Sequence, residues 1–105
     1  MRRRPVRLTE SAIASLTEVA RYVAEASGSA EIALGFIDRI ERRCRKIGDA
    51  PQGGVLRPEL GEGIRLIAFE RSAAILYRLA DDHVEIIDVV YGGRDYHALM
   101  GRKPR

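Results

Sequence analysis

Several routes to chemistry or export are missing from this 105-residue sequence. There is one cysteine, Cys44, so no internal disulfide framework can form, which fits a reducing cytoplasm. No apolar run approaches the roughly 20 residues needed to span a bilayer. The basic start, Met1-Arg2-Arg3-Arg4-Pro5, is not followed by the apolar segment of a secretory signal. The two histidines, His83 and His97, lack cysteines or carboxylates at ligand spacing, so no metal centre is expected. Gly53-Gly54 and Gly92-Gly93 stand without the lysine and helix start of a phosphate-cradling loop, and no cofactor is implied. Internal repeats and low-complexity tracts are absent too.

What is present describes a small globular protein. An apolar fraction of 46% and a charged fraction of 31% suit one domain over residues 1–105, with 1–4 and 101–105 expected to fray. Net charge is +3, and sixteen of the eighteen basic residues are arginine. That balance fits contact with phosphate or carboxylate, and equally fits the codon usage of a GC-rich genome.

Three apolar runs organise the chain: Ile64–Phe69, Ala73–Leu79 and Val84–Val90. Each has the length of a strand, and the breaks Glu70-Arg71-Ser72 and Ala80-Asp81-Asp82-His83 permit only antiparallel neighbours. A three-stranded meander is therefore expected, left through Tyr91-Gly92-Gly93. Upstream, Pro5-Val6-Arg7-Leu8 reads as a short edge strand. Thr9 can cap a helix to Ser27, with a buried stripe of Ile13, Leu16, Val19, Ala20 and Val23 and a stop at Gly28. Ser29 can cap a second helix from Ala30 to Ile47, with the stripe Ala33, Phe36, Ile37, Ile40, Cys44 and Ile47. On that stripe Cys44 reads as a buried, inert thiol. The short Gly28-Ser29 link forces a helical hairpin, and the sheet is the surface on which it must pack. Residues 55–63 read as a surface loop. The order is β-α-α-β-β-β, an α+β fold.

The groups left for function are Arg57, Arg65, Arg78 and Arg94, with Glu59, Tyr91, Tyr96 and His97 nearby in sequence. Alternation sends Arg65 and Ile67 to one face of the sheet and Leu66 and Ala68 to the other. If the hairpin takes one face, the other can offer arginine, tyrosine and histidine to an acidic peptide, to RNA or to a phosphodiester. An ordinary solvated face explains the same residues. Helix two carries Asp38–Arg42 and Glu41–Arg45 at i,i+4, as a solvated helix face does.

An ordered set of motifs resembles the RelE/ParE superfamily, the toxins of type II toxin–antitoxin modules, also called plasmid stabilisation proteins. The set runs from Leu8-Thr9 through Ala33-x-x-Phe36-Ile37-x-x-Ile40, Arg57-Pro58-Glu59-Leu60-Gly61-x-Gly63-Ile64-Arg65 and Ile75-Leu76-Tyr77-Arg78 to Gly92-x-Arg94-Asp95, covering about residues 6–98. The resemblance implies a helical hairpin on an antiparallel sheet. RelE-like members are ribosome-dependent mRNA endoribonucleases, and ParE-like members poison DNA gyrase and block replication. Two positions of the nuclease set are Ala74 and Met100 here, while Arg65 and Arg94 match. Arg65, Arg94, Tyr96 and His97 are thus the catalytic residues of the nuclease alternative.

The signatures resemble the ParE branch more closely, which implies a protein inhibitor of gyrase with no catalytic residues. It also implies a cytoplasmic toxin silenced by a cognate ParD-like antitoxin in a hetero-oligomer, without direct DNA binding or a membrane. Arg57, Glu59, Arg65, Arg78, Arg94, Asp95 and Tyr96 are the expected antitoxin- or target-binding residues. A non-toxic relative acting only as a binding module is the third alternative.

Overall fold

Two hydroxyls set where the helices begin. In the computed structural model, which describes residues 4–92, Thr9 accepts a hydrogen bond from the Ala12 N–H at 3.1 Å and Ser29 one from Ile32 at 3.1 Å. Each cap satisfies a backbone donor that the first helical turn would leave bare, worth about 1 kcal/mol. Helices α1 (Glu10–Ser27) and α2 (Ala30–Ile47) follow from them. Gly28 ends α1 in the left-handed region, at φ 72°, and its N–H returns to Ala24 O at 2.8 Å. Gly48 ends α2 for a different reason. Its backbone is right-handed, but a Cβ there would lie 2.2 Å from the Arg4 carbonyl, so only glycine lets the N-terminal chain pass.

The hairpin lies on one five-stranded sheet, formed by β1 (Val6–Leu8), β2 (Val55–Leu56), β3 (Arg65–Phe69), β4 (Ala73–Leu79) and β5 (Val84–Tyr91) in the order β1-β5-β4-β3-β2. The expected meander is β3-β4-β5. Edge strand β1 runs parallel to β5, with Val6 beside Val84 and Leu8 beside Ile86. A parallel neighbour needs a long crossover, and here the intervening chain contains both helices.

The reading of residues 55–63 as loop is corrected in part. Val55 and Leu56 pair with Leu66 and Arg65 as β2, and Pro58–Leu60 forms one turn of 3-10 helix. Two paired residues bounded by glycine and proline give no alternation long enough to read from sequence.

A bulge between β4 and β5 accounts for the pattern of the last strand. Leu76 pairs with Asp88 but Tyr77 with Ile86, leaving Ile87 extra. The insertion resets the alternation, so Val84 and Ile86 on one side of it, and Val89 and Tyr91 on the other, all face the hairpin.

The core lies between hairpin and sheet. Leu16, Val19, Phe36, Ile40, Cys44 and Ile47 meet Ile75, Tyr77, Val84, Ile86 and Val89, with Ile40, Ile75, Tyr77 and Ile86 fully buried. The stripe expected of α2 is realised, with Ile37 only half-buried. That of α1 is corrected at one position: Ile13 is 53% exposed, and Ala12 is buried in its place. The small side chain lets α1 sit close to the sheet.

Candidate functional site

The four expected binding residues among the described ones, Arg57, Glu59, Arg65 and Arg78, gather at the end of the sheet where β3 starts and β4 ends, and all four are already engaged. Arg65 stands opposite Tyr77 and shares the face of Ile67, which packs into the main core. Arg65 therefore lies on the hairpin side of the sheet, a choice that alternation alone leaves open. The loop after α2 passes over this end of the sheet, and Arg65 Nη1 donates to Gly54 O at 2.8 Å and to Gln52 O at 3.3 Å. The Tyr77 hydroxyl anchors the same loop. It donates to Pro51 O at 2.8 Å and accepts from the Gly54 N–H at 2.8 Å. A Cβ on Gly54 would fall 2.7 Å from that hydroxyl, so the close approach requires glycine.

Arg57 and Glu59 form an ion pair across the start of the 3-10 turn. Arg78 is paired with Glu85 on β5 at 3.0 Å. Arg65 and Arg78 together line an open groove of about 430 Å³ with Leu56, Glu62, Gly63 and Leu79. The structure thus brings Arg65 and Arg78 into one groove and places the Arg57–Glu59 pair on the adjoining segment. Arg94, Asp95, Tyr96 and His97 lie outside the described residues.

The face of the sheet away from the hairpin is apolar where sequence reasoning expected polar groups. Leu60, Leu66, Leu76 and Val90 pack around a buried Ala74. None of these side chains can transfer a proton or stabilise a developing charge. His83 lies in the turn before β5, as expected, but its side chain is only 18% exposed and Nδ1 sits 2.9 Å from Asp82. That contact holds the Asp82 carboxyl below its usual range. Desolvation pushes the Cys44 thiol up to about 12, so it stays protonated and unreactive at neutral pH, as its place on the stripe predicts. Of the two ion pairs expected on α2, Asp38–Arg42 closes at 3.0 Å.

At the opposite end of the sheet lies a second cluster, which the sequence reading missed. Phe36 of α2 packs against Phe69 and Tyr91, with centroids 6.0 and 5.6 Å away, and Tyr22 of α1 covers Tyr91 at 5.4 Å. Beside them the β3–β4 turn holds two consecutive non-glycine residues in the left-handed region, Glu70 at φ 48° and Arg71 at φ 65°. Arg39 secures this turn with two hydrogen bonds to the Glu70 carboxylate, 2.7 and 3.0 Å long, and lies over the Phe36 ring. The bonds from Arg39 hold the Glu70 carboxyl below its usual range. A signal was available: a tight turn spelled Glu-Arg, where Asn or Gly is usual, implies that something outside the turn holds it.

Comparison with known proteins gives a family for this arrangement. Residues 6–96 match the model for the ParE toxin of the type II toxin–antitoxin system parDE. The chain belongs to the ParE toxin family. Among solved structures, a chain of the chromosomal ParDE toxin–antitoxin system from P. aeruginosa is similar at a TM-score of 0.72, with 21% identity over 82% of this chain and 92% of that one. A chain of the toxin–antitoxin complex RelBE2 from Mycobacterium tuberculosis superposes at a TM-score of 0.55, with 24% identity over 87% of this chain and all of the other. At such identities these two likenesses bear on the fold alone. No curated protein matches. Among the described residues of this ParE-family chain, no helix is long and apolar enough to cross a membrane.

Proposed function

We propose that this ParE-family chain is the toxin of a type II toxin–antitoxin module, that it blocks replication by poisoning DNA gyrase, and that a cognate ParD-like antitoxin silences it. The observation that carries the reading is the family match across residues 6–96. The chemistry of the described surface supports the choice of gyrase over messenger RNA. A nuclease needs a cation and a proton-transfer group facing a phosphodiester. Here Arg65 and Arg78 are engaged by carbonyls and a carboxylate, and the face of the sheet away from the hairpin carries half-buried Leu66, Leu76 and Val90 around a buried Ala74. An apolar face with charges at its margin suits protein contact.

The antitoxin's expected chemistry, an acidic amphipathic segment, fits a chain of net charge +3 that leaves Ile32, Leu34, Val55 and Leu56 more than half exposed. Pulse labelling after induction without antitoxin tests the target. Early loss of thymidine incorporation is expected, followed by linearised plasmid with purified gyrase. Early loss of amino-acid incorporation would instead point to the ribosome and make Arg94, Tyr96 and His97 the first positions to mutate.

A further inference from the structure

We propose that the end of the molecule built from Tyr22, Tyr91, Phe36, Phe69 and the Glu70–Arg71 turn is the surface with which the toxin grips its target protein; the proposal rests on the toxin reading above. Three observations converge there. The first is strain. Two successive non-glycine residues with positive φ are sterically disfavoured, and Asn or Gly is the usual occupant of such a turn. The second is rigidity. The two-pronged bond from Arg39 to Glu70, with Arg39 over Phe36, fixes the turn to α2 and so fixes where Arg71 projects. The third is the composition of what is exposed. Tyr22 is 53% exposed although its ring packs on Tyr91, and Arg71 is exposed, with no ion pair among the described residues. Rigid tyrosine and arginine side chains are the types that dominate binding energy at protein interfaces.

Strand β1 stops beside Ile86, and among the described residues no strand pairs with Ile87–Tyr91 of β5 on that side; the Ile87 carbonyl accepts instead from the Thr9 hydroxyl at 2.9 Å, and the Val89 N–H donates to the Asp88 carboxylate at 2.8 Å. A shallow groove between Ser15, Glu18 and Val19 of α1 and Val89 and Tyr91 of β5 runs along this edge.

The chemistry selects a protein partner. Arg39 is already neutralised by Glu70, which leaves Arg71, among the described residues, as the guanidinium without an ion pair beside the aromatic cluster. A nucleic acid would need several free cations along its backbone. One cation next to exposed aromatic surface fits a carboxylate set in an apolar patch.

The test compares the wild-type chain with Arg71→Gly and Tyr22→Ala, induced without antitoxin at equal soluble levels. Glycine removes the guanidinium and relieves the positive φ, so Arg71→Gly should melt no lower than wild type and thereby separate binding from folding. Each variant is expected to need about tenfold more protein for the same growth arrest, the loss typical of an interface anchor. Arrest as complete as wild type in both variants overturns the surface and leaves the toxin reading standing. A wild-type chain that arrests nothing removes that reading, and the surface with it. Retention of a labelled RNA oligonucleotide by the wild-type chain but not by Arg71→Gly overturns the assignment to a protein partner.

Discussion

The two ends of the sheet spend their polar groups in opposite ways. Where β3 begins and β4 ends, the side chains turn inward: the Tyr77 hydroxyl takes both Pro51 O and the Gly54 N–H, Arg65 takes Gly54 O, and Arg4 Nη1 takes Ala80 O at 3.1 Å. These bonds tie the loop after α2 and the N-terminal chain to the sheet. Where β3 ends and β5 leaves the sheet, the aromatic rings meet at tilted and edge-on angles and Arg71 is exposed. The first end holds the chain together, and the second is built rigidly with capacity to spare. An arginine near a sheet is therefore weak evidence of function until its hydrogen bonds are counted. Arg65 matches the family motif, yet the structure uses it on the protein's own carbonyls.

The comparison holds only if both ends share one core, and the largest expected effect tests that. Ile40 is fully buried where α2 meets the sheet. Ile40→Asp would place an unpaired charge there and should remove about 4 kcal/mol or more, enough to unfold a domain of this size. Circular dichroism and urea titration would read it, and a cooperatively folded variant would show that the core assignment is wrong. Tyr77→Phe comes next. It keeps the ring and strands the Gly54 N–H and the Pro51 carbonyl, for an expected loss of about 1–3 kcal/mol in the urea midpoint with no change in target binding. A Tyr77→Phe protein as stable as wild type would mean that the loop is held by something else. Arg65→Ala should be milder, at about 1 kcal/mol, because its carbonyl partners are part-exposed and can turn to water. If Arg65→Ala instead left the melting curve unchanged and weakened antitoxin affinity, the division between the two ends would fail.

Much of this arrangement could be read from the sequence. Both helices, their caps at Thr9 and Ser29, the stop at Gly28 and the meander follow from periodicity and turn chemistry, because each is specified by residues close in the chain. Five features were not legible. The two-residue strand β2 is too short to show alternation. The bulge at Ile87 exists only as a mismatch between two strands. Ile13 lies at stripe spacing, but the closeness of α1 to the sheet buries Ala12 instead. The face on which Arg65 lies depends on which side of β3 the hairpin covers, and alternation alone leaves that side open. The cluster of Tyr22, Phe36, Phe69 and Tyr91 assembles from four separate elements, so no local pattern could announce it. Only the turn beside it left a trace, in two residues unsuited to their backbone.

That turn supplies the smallest effect and the finest test of the contrast. The Glu70 carboxyl is held below the ordinary range by the hydrogen bonds from Arg39, so its ionised form is the one the folded state favours. A carboxyl depressed by folding contributes its stability above the unfolded value, roughly 4.3, and loses it as pH falls through the folded value. The Arg39–Glu70 clamp should therefore hold at neutral pH and release on acidification below that range. Both side chains are substantially exposed, 52% and 40%, so solvent screens the pair and the expected contribution stays below about 1 kcal/mol. Glu70→Gln removes the charge at every pH. The difference in urea midpoint between wild type and Glu70→Gln should be largest near pH 7 and should shrink as the pH falls below the ordinary carboxylate range, with added salt narrowing it throughout. Subtracting the variant's own pH profile cancels the other carboxylates, including Asp82 beside His83. A difference independent of pH would mean that the turn is held by shape rather than charge. In that case Arg39 acts through its packing on Phe36, and the left-handed residues are carried by the aromatic cluster alone.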